Sequence, residues 1–124
     1  MTDTAAPSDL PLVLIVDDDA ELRAYIREGL AHLPIQTDEA RDGRDALDRL
    51  ASHTGKVALV ITDLFMERMD GRALKAALQR DQRWAHVPVL LITGESTRAR
   101  DGPVLRKPFN ARRLAASVQN LIDL

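Results

Sequence analysis

Val57-Ala58-Leu59-Val60-Ile61-Thr62-Asp63-Leu64-Phe65-Met66-Glu67-Arg68-Met69-Asp70-Gly71 is the stretch whose reading decides the fold. Its first five residues are apolar and three of them are β-branched. That run is too short to cross a membrane and suits a strand buried on both faces, as in a parallel sheet. It stops at Thr62-Asp63, so a carboxylate stands where the strand leaves the core. In open α/β sheets that carboxyl edge is where ligands bind. A lone aspartate there is commonly a loop or capping residue, so its meaning depends on what else converges on it.

Outward from this stretch, the chain alternates strand and helix patterns. Met1 to Pro11 is small, polar and proline-punctuated and reads as a loose tail, leaving 12–124 as one domain. Leu12 to Val16 is a second all-apolar strand, followed by Asp17-Asp18-Asp19. Leu22, Ile26, Leu30 and Leu33 recur at helical spacing, and Pro34 ends that helix. Ile35 to Ala40 reads as a more polar edge strand and Asp42-Gly43 as a turn. Ala46, Leu47, Leu50 and Ala51 mark a second helix, closing near Gly55. Asp70-Gly71 opens a third helix, with Leu74, Ala77 and Leu78 inward and Trp84 near its end. Val87 to Thr93 is a fourth strand and Val104 to Arg106 a short fifth one. Asn110 caps a last helix that turns Leu114, Val118, Leu121 and Ile122 inward. Such alternation implies a doubly wound parallel sheet of five strands.

Composition narrows the function classes. With no cysteine, disulfides and thiolate metal sites are excluded. No apolar run is long enough for a membrane helix or a secretory leader, which makes a cytoplasmic setting and no membrane partner the expectation. The net charge of −2, with acids and bases interspersed, is not the footprint of a duplex-binding surface. Aromatic residues are too sparse for a base-stacking platform, so direct nucleic-acid binding is not expected. Lysine occurs only at positions 56, 75 and 107, so a lysine at a special place carries information.

Each strand predicted to be central ends in a polar group: Asp17-Asp18, Asp63 and Thr93, with Lys107 after the fifth. On one edge of a parallel sheet these groups share a crevice. Three carboxylates that close repel one another unless a cation intervenes. Oxygen-only ligands suit Mg²⁺, which takes one or two carboxylates and keeps water or phosphate oxygens. Lys107 supplies a point charge for a phosphoryl oxygen and Thr93 a hydroxyl donor. Asp63 is then a carboxylate nucleophile able to form an aspartyl-phosphate. Individually the pieces have plainer readings. Asp17-Asp18-Asp19 can cap the first helix, with Asp18 and Glu21 at capping-box spacing. Thr93 alone is a β-branched strand residue, and Lys107 alone a solvated lysine. Their joint order is what resists coincidence.

Taken together, Val16-Asp17-Asp18-Asp19, Asp63-Leu64-Phe65-Met66, Met69-Asp70-Gly71, Leu91-Ile92-Thr93-Gly94 and Lys107-Pro108-Phe109 resemble the receiver domains of two-component response regulators. The resemblance runs from about Leu12 to Leu124. It implies a flavodoxin-like α/β fold of strand order 2-1-3-4-5, the order of chemotaxis receivers. It implies that Asp63 accepts a phosphoryl group from a histidine kinase or a histidine phosphotransfer protein and switches contacts with a downstream protein. It further implies that Asp18 and Asp63 hold Mg²⁺ directly, Asp17 through water, with the Phe65 carbonyl as another ligand. Thr93 and Lys107 would read the phosphoryl group, and the Lys107–Pro108 peptide bond is expected to be cis. Three departures stand out. Glu67 replaces the usual proline, and Val104 replaces the usual aromatic. The Thr93–Lys107 interval is short by about two helical turns. Glu95 to Gly102 therefore offers no packing face for a fourth helix, which is expected to be missing or shortened to an extended connection, with Arg98 and Arg100 as candidate partner contacts.

Two rival readings remain at this level. One is a degenerate receiver that acts as a phosphate-independent scaffold. The other is a haloacid-dehalogenase-like phosphatase, with Asp17 as nucleophile and Thr62 or Thr93 and Lys107 as helpers. Ala20-Glu21 and the lack of a late paired-acid motif speak against the second.

Overall fold

Alternate side chains of each central strand point to opposite helical layers, and that alternation builds the molecule. The structure, a computed structural model, describes residues 9–66, 68–94 and 101–122. In chain order the elements are β1 (Leu12–Val16), α1 (Ala20–Gly29), β2 (Gln36–Ala40), α2 (Gly43–Ser52), β3 (Val57–Asp63), α3 (Gly71–Gln79), β4 (Val89–Thr93), β5 (Val104–Arg106) and α4 (Ala111–Leu121). The strands form one parallel sheet in the order β2-β1-β3-β4-β5, the flavodoxin-like order expected.

Leu14, Val16, Val60 and Leu91 bury one sheet face under α2 and α3 through Ala46, Leu50, Leu74 and Leu78. Val13, Ile15, Ile61 and Ile92 bury the other under α1 and α4 through Ile26, Leu30, Leu114 and Val118. Because both faces are covered, β1 and β4 are buried along their whole length. Each fully buried Leu or Ile of this set contributes about 1.5–3 kcal/mol of apolar transfer. β2 is the polar edge strand: Glu39 is held by Arg23 and Arg27 of α1, and Asp38 by Arg49 of α2.

The caps fall where side-chain oxygens were available. Asp70 accepts from the Ala73 N–H and Asn110 from the Arg113 N–H, both at 2.8 Å, and these open α3 and α4 as expected. Three ends differ from expectation. α1 stops at Gly29, with Leu30 as its C-cap, short of Leu33 and Pro34. α2 stops at Ser52, with His53 as its C-cap, short of Gly55. Trp84 lies beyond α3, because Asp81 turns the chain by accepting the Arg83 N–H at 2.9 Å, while Trp84 and Ala85 donate back to the Asp81 carbonyl. Such side-chain-to-backbone bonds compete with helix continuation.

Residues 1–8 of the expected tail lie outside the described residues, while the carbonyls of Leu10 and Pro11 accept from the Gln36 side chain and backbone. Glu67, and residues 95–100 with Arg98 and Arg100, also lie outside the described residues. Among the described residues no helix stands between β4 and β5. The chain re-enters at Asp101, which is 5 % exposed and gripped by Arg72 of α3 through two bonds of 2.8 and 2.9 Å. Lys75 donates to the Asp101 carbonyl, and Gly102 follows with φ +74°, a conformation that favours glycine. Val104 packs at the margin of the α2–α3 core.

Candidate functional site

The carboxyl edge of the sheet gathers the acids. β1 delivers Asp17, whose N–H continues the ladder to the Ala40 carbonyl at 3.0 Å. Its side chain is nearly sealed, at 2 % exposure. Oδ1 accepts the Asp19 N–H at 2.8 Å, whereas Oδ2 is buried with no hydrogen-bond partner among the described residues. The α1 cap belongs to Asp19, whose Oδ1 accepts from Glu21 and Leu22. The Asp18–Glu21 capping reading therefore does not hold: Asp19 meets the orphan N–H groups of the first turn, so Asp17 and Asp18 are left at the crevice.

β3 delivers Asp63 to the same place. Asp17, Asp18 and Asp63 each present a carboxylate oxygen, all lying within 4.8 Å of one another. Asp18 is exposed and Asp63 half-buried, so the cluster opens to solvent on one side. The Lys107 Nζ stands 3.5 Å from Asp63 Oδ1. Thr93 ends β4, buried, one residue beyond the Ile92 that registers with Asp63. Its carbonyl accepts the Lys107 N–H at 2.9 Å, so the two residues are joined through the backbone. The Lys107–Pro108 bond is cis, as expected. Phe65 lies in the loop after Asp63 with its side chain 56 % exposed. Thr62 is not a site hydroxyl: it is buried and donates to the Asp63 carbonyl at 2.9 Å.

The electrostatics follow from this crowding. Burial pushes the Asp17 carboxyl up to about 6, and repulsion from Asp63 and Asp18 adds to it against the pull of the Asp19 N–H and of Lys107. Burial also raises the Asp63 carboxyl, opposed mainly by the charge and hydrogen bond of Lys107. Three carboxylates this close, one of which carries a buried, unpartnered oxygen, form a donor set that fits a hard divalent cation.

The loop that follows Asp63 is held at both ends by residues whose role was not legible beforehand. At Gly71 an added Cβ would sit 2.5 Å from the Asp63 carbonyl oxygen and 3.1 Å from Leu64 Cα, so only glycine lets α3 start there. Arg68 reaches back to α2 and grips Asp42 with bonds of 2.7 and 3.0 Å. Asp42-Gly43, read as a turn, is in fact the N-cap and first residue of α2, with Asp42 Oδ1 also accepting the Asp45 N–H at 2.8 Å. The Arg68 hydrogen bonds hold the Asp42 carboxyl below its usual range. No local pattern announces Arg68 or Arg72, because their partners are 26 and 29 residues away.

Residues 13–119 match the family of response regulator receiver domains. The chain is 35 % identical over 121 residues to the chemotaxis protein CheY of Pseudomonas aeruginosa, covering 90 % of this chain and 95 % of that one. It is also 35 % identical over 127 residues to the sensor histidine kinase TmoS of Ectopseudomonas mendocina, covering 94 % of this chain and only 12 % of that one. Among solved structures, the chemotaxis response regulator CheY4 of Vibrio cholerae superposes with a TM-score of 0.81 at 26 % identity, covering 91 % of this chain and 99 % of that one. Similar relatives thus include proteins almost wholly spanned by this chain and a kinase of which it spans about an eighth.

Proposed function

The chain belongs to the response regulator receiver family of two-component signalling, phosphoacceptor domains rather than metabolic enzymes, and on that premise we propose that Asp63 is its phosphoacceptor. The observation that carries this is the cluster itself: Asp63 shares a crevice with two further carboxylates within 4.8 Å and faces Lys107 at 3.5 Å. Asp17, Asp18 and Asp63, with the Phe65 carbonyl, would hold Mg²⁺, with Asp17 reaching it through water. When bound, Mg²⁺ supplies the positive charge that offsets both the three carboxylates and the phosphoryl oxygens.

The chain's own residues do the rest. A carboxylate oxygen of Asp63 attacks phosphorus, an O–P bond forms, and the P–N bond of a kinase phosphohistidine breaks. The electron pair leaves on the imidazole, which regains a proton from solvent. Lys107 moves its ammonium from the carboxylate to the arriving phosphoryl oxygen, a charge-assisted bond. Thr93 donates its hydroxyl to another phosphoryl oxygen and, through its backbone bond with Lys107, carries the change into β4 and β5. The donor is a histidine kinase or a phosphotransfer protein in the cytoplasm, and a protein contact is the output. Among the described residues no helix is long and apolar enough to cross a membrane.

Incubation with a small acyl phosphate in Mg²⁺, followed by intact mass and peptide mapping, tests this assignment. The expected label is on Asp63 alone, and Asp63→Asn abolishes it. Label on Asp17 would return the phosphatase reading, and no Mg²⁺-dependent label would make the domain a scaffold.

A further inference from the structure

Among the described residues, the Asp42–Arg68 pair joins the loop after Asp63 to α2. Asp42 is 6 % exposed, whereas the Arg68 side chain is 54 % exposed and lies over it from the solvent side. The guanidinium uses Nε and one terminal nitrogen on the two oxygens, the planar fork that lysine cannot reproduce. The next loop residue is seated on the same helix end. A Cβ on Gly43 would fall 2.6 Å from Met69 Cβ, so the Met69 side chain packs directly on the start of α2 beside the clasp. Asp18, Asp42 and Arg68 line one cavity of about 270 Å³ together with Arg41. The clasp therefore adjoins the acid cluster without being part of it.

At its far end the loop is pinned by the Gly71 N–H on the Leu64 carbonyl at 2.8 Å and by the Asp70 cap. Those bonds close the loop on itself. At its start the loop is tied to β4 by the Leu64 N–H on the Ile92 carbonyl at 3.0 Å, with Leu64 and Met66 buried in the core. The clasp on α2 ties down its second half.

We propose that Arg68 is a positioning residue of the phosphoacceptor site, whose fork on Asp42 fixes the Arg68–Asp70 end of the loop on α2 and thereby helps to set the Phe65 carbonyl relative to Asp63 and Asp18. This inference rests on the metal-ligand reading given above. Groups that orient metal ligands from the outer shell change affinity or activity by about 10–100-fold when removed. The pair also keeps Asp42 from acting as a fourth acid beside Asp18, and this second effect has the opposite sign. Loss of Arg68 would loosen the ligand loop but would add negative charge near the cation, so the sign of the change in affinity separates position from charge.

The experiment is a Mg²⁺ titration by calorimetry, together with labelling rates at saturating Mg²⁺, on wild type, Arg68→Ala, Arg68→Lys, Asp42→Asn and the Arg68→Ala/Asp42→Asn double variant. Asp42→Asn retains the helix cap while losing the ionic fork. Positioning predicts about tenfold weaker Mg²⁺ binding and slower labelling in Arg68→Ala and in Asp42→Asn. It also predicts little recovery in Arg68→Lys and a double variant no worse than either single one, the non-additivity of groups that act as a unit. Tighter Mg²⁺ binding in Arg68→Ala, with the reverse in Asp42→Asn, would overturn positioning in favour of charge. A lowered melting temperature with unchanged Mg²⁺ affinity and labelling would reduce the clasp to a stabilising contact and overturn it as well. Wild type serves as the separate control: if it takes no label on Asp63, the phosphoacceptor assignment itself fails.

Discussion

Replacing Asp17 with asparagine should make the metal-free protein more stable. The Asp17 carboxylate is 2 % exposed, has one oxygen with no hydrogen-bond partner among the described residues, and shares its space with two other acids. Its pKa of about 6 in the fold, against 3.8 for an ordinary aspartate, means that folding disfavours the charged form. At about 1.36 kcal/mol per pH unit this is a cost of about 3 kcal/mol at neutral pH. The sign follows from linkage. A carboxyl raised by folding contributes stability that is fully present below pH 3.8 and is lost as the pH rises through about 6. Asparagine removes the charge and keeps an oxygen for the Asp19 N–H, so Asp17→Asn should recover about 2–3 kcal/mol at pH 7.5, or roughly 10 °C in melting temperature for a domain of this size. Urea denaturation in EDTA, followed by the fluorescence of the sole tryptophan, Trp84, measures it directly. Repeated from pH 4 to 8, the variant should show a flatter profile than wild type and converge with it at the acid end. Equal or lower stability of the variant at pH 7.5 in EDTA would refute the claim that this buried carboxylate is held at a cost.

Saturating Mg²⁺ should narrow that difference: at a hundredfold excess over its dissociation constant it stabilises wild type by about 2.7 kcal/mol. Asp18→Asn should show little such gain in a thermal scan, and an unchanged wild-type curve across the titration would count against the metal site. Gly71→Ala forces a methyl into the Asp63 carbonyl, so it should destabilise by about 2 kcal/mol in urea and slow labelling of Asp63, despite the better helix propensity of alanine. Arg72→Met withdraws a two-bonded cation from the buried Asp101 and should lower the urea midpoint. Arg72→Lys should fall between the two, and a stability equal to wild type in Arg72→Met would show that the pair is a surface contact only.

Much of the site was legible because it is made of strand ends. A parallel sheet brings every carboxyl end to one edge, so Asp17, Asp18, Asp63, Thr93 and Lys107 could be placed together from their positions after apolar runs. What that logic could not divide was the labour among neighbours. Three consecutive aspartates are equivalent in a sequence, and only the path of the chain into α1 made Asp19 the cap, Asp17 the buried acid and Asp18 the exposed one. Thr62 and Thr93 are both strand-end threonines, and only the pleat decided that Thr62 is spent on the Asp63 carbonyl.

By itself the sequence determined the element order, the doubly wound sheet, the caps at Asp70 and Asn110 and the acids at the sheet edge. Those features follow from short-range causes: hydrophobic period, β-branching, and side chains that bond backbone groups within three residues. Tertiary structure alone decided that Arg68 clasps Asp42, that Arg72 grips Asp101, and that Gly43 and Gly71 stand where a methyl group would collide. Charged residues on a solvated surface carry no periodicity that names a partner 26 or 29 residues away. The need for a glycine, likewise, arises only once two separately formed elements approach to within a bond's width of contact.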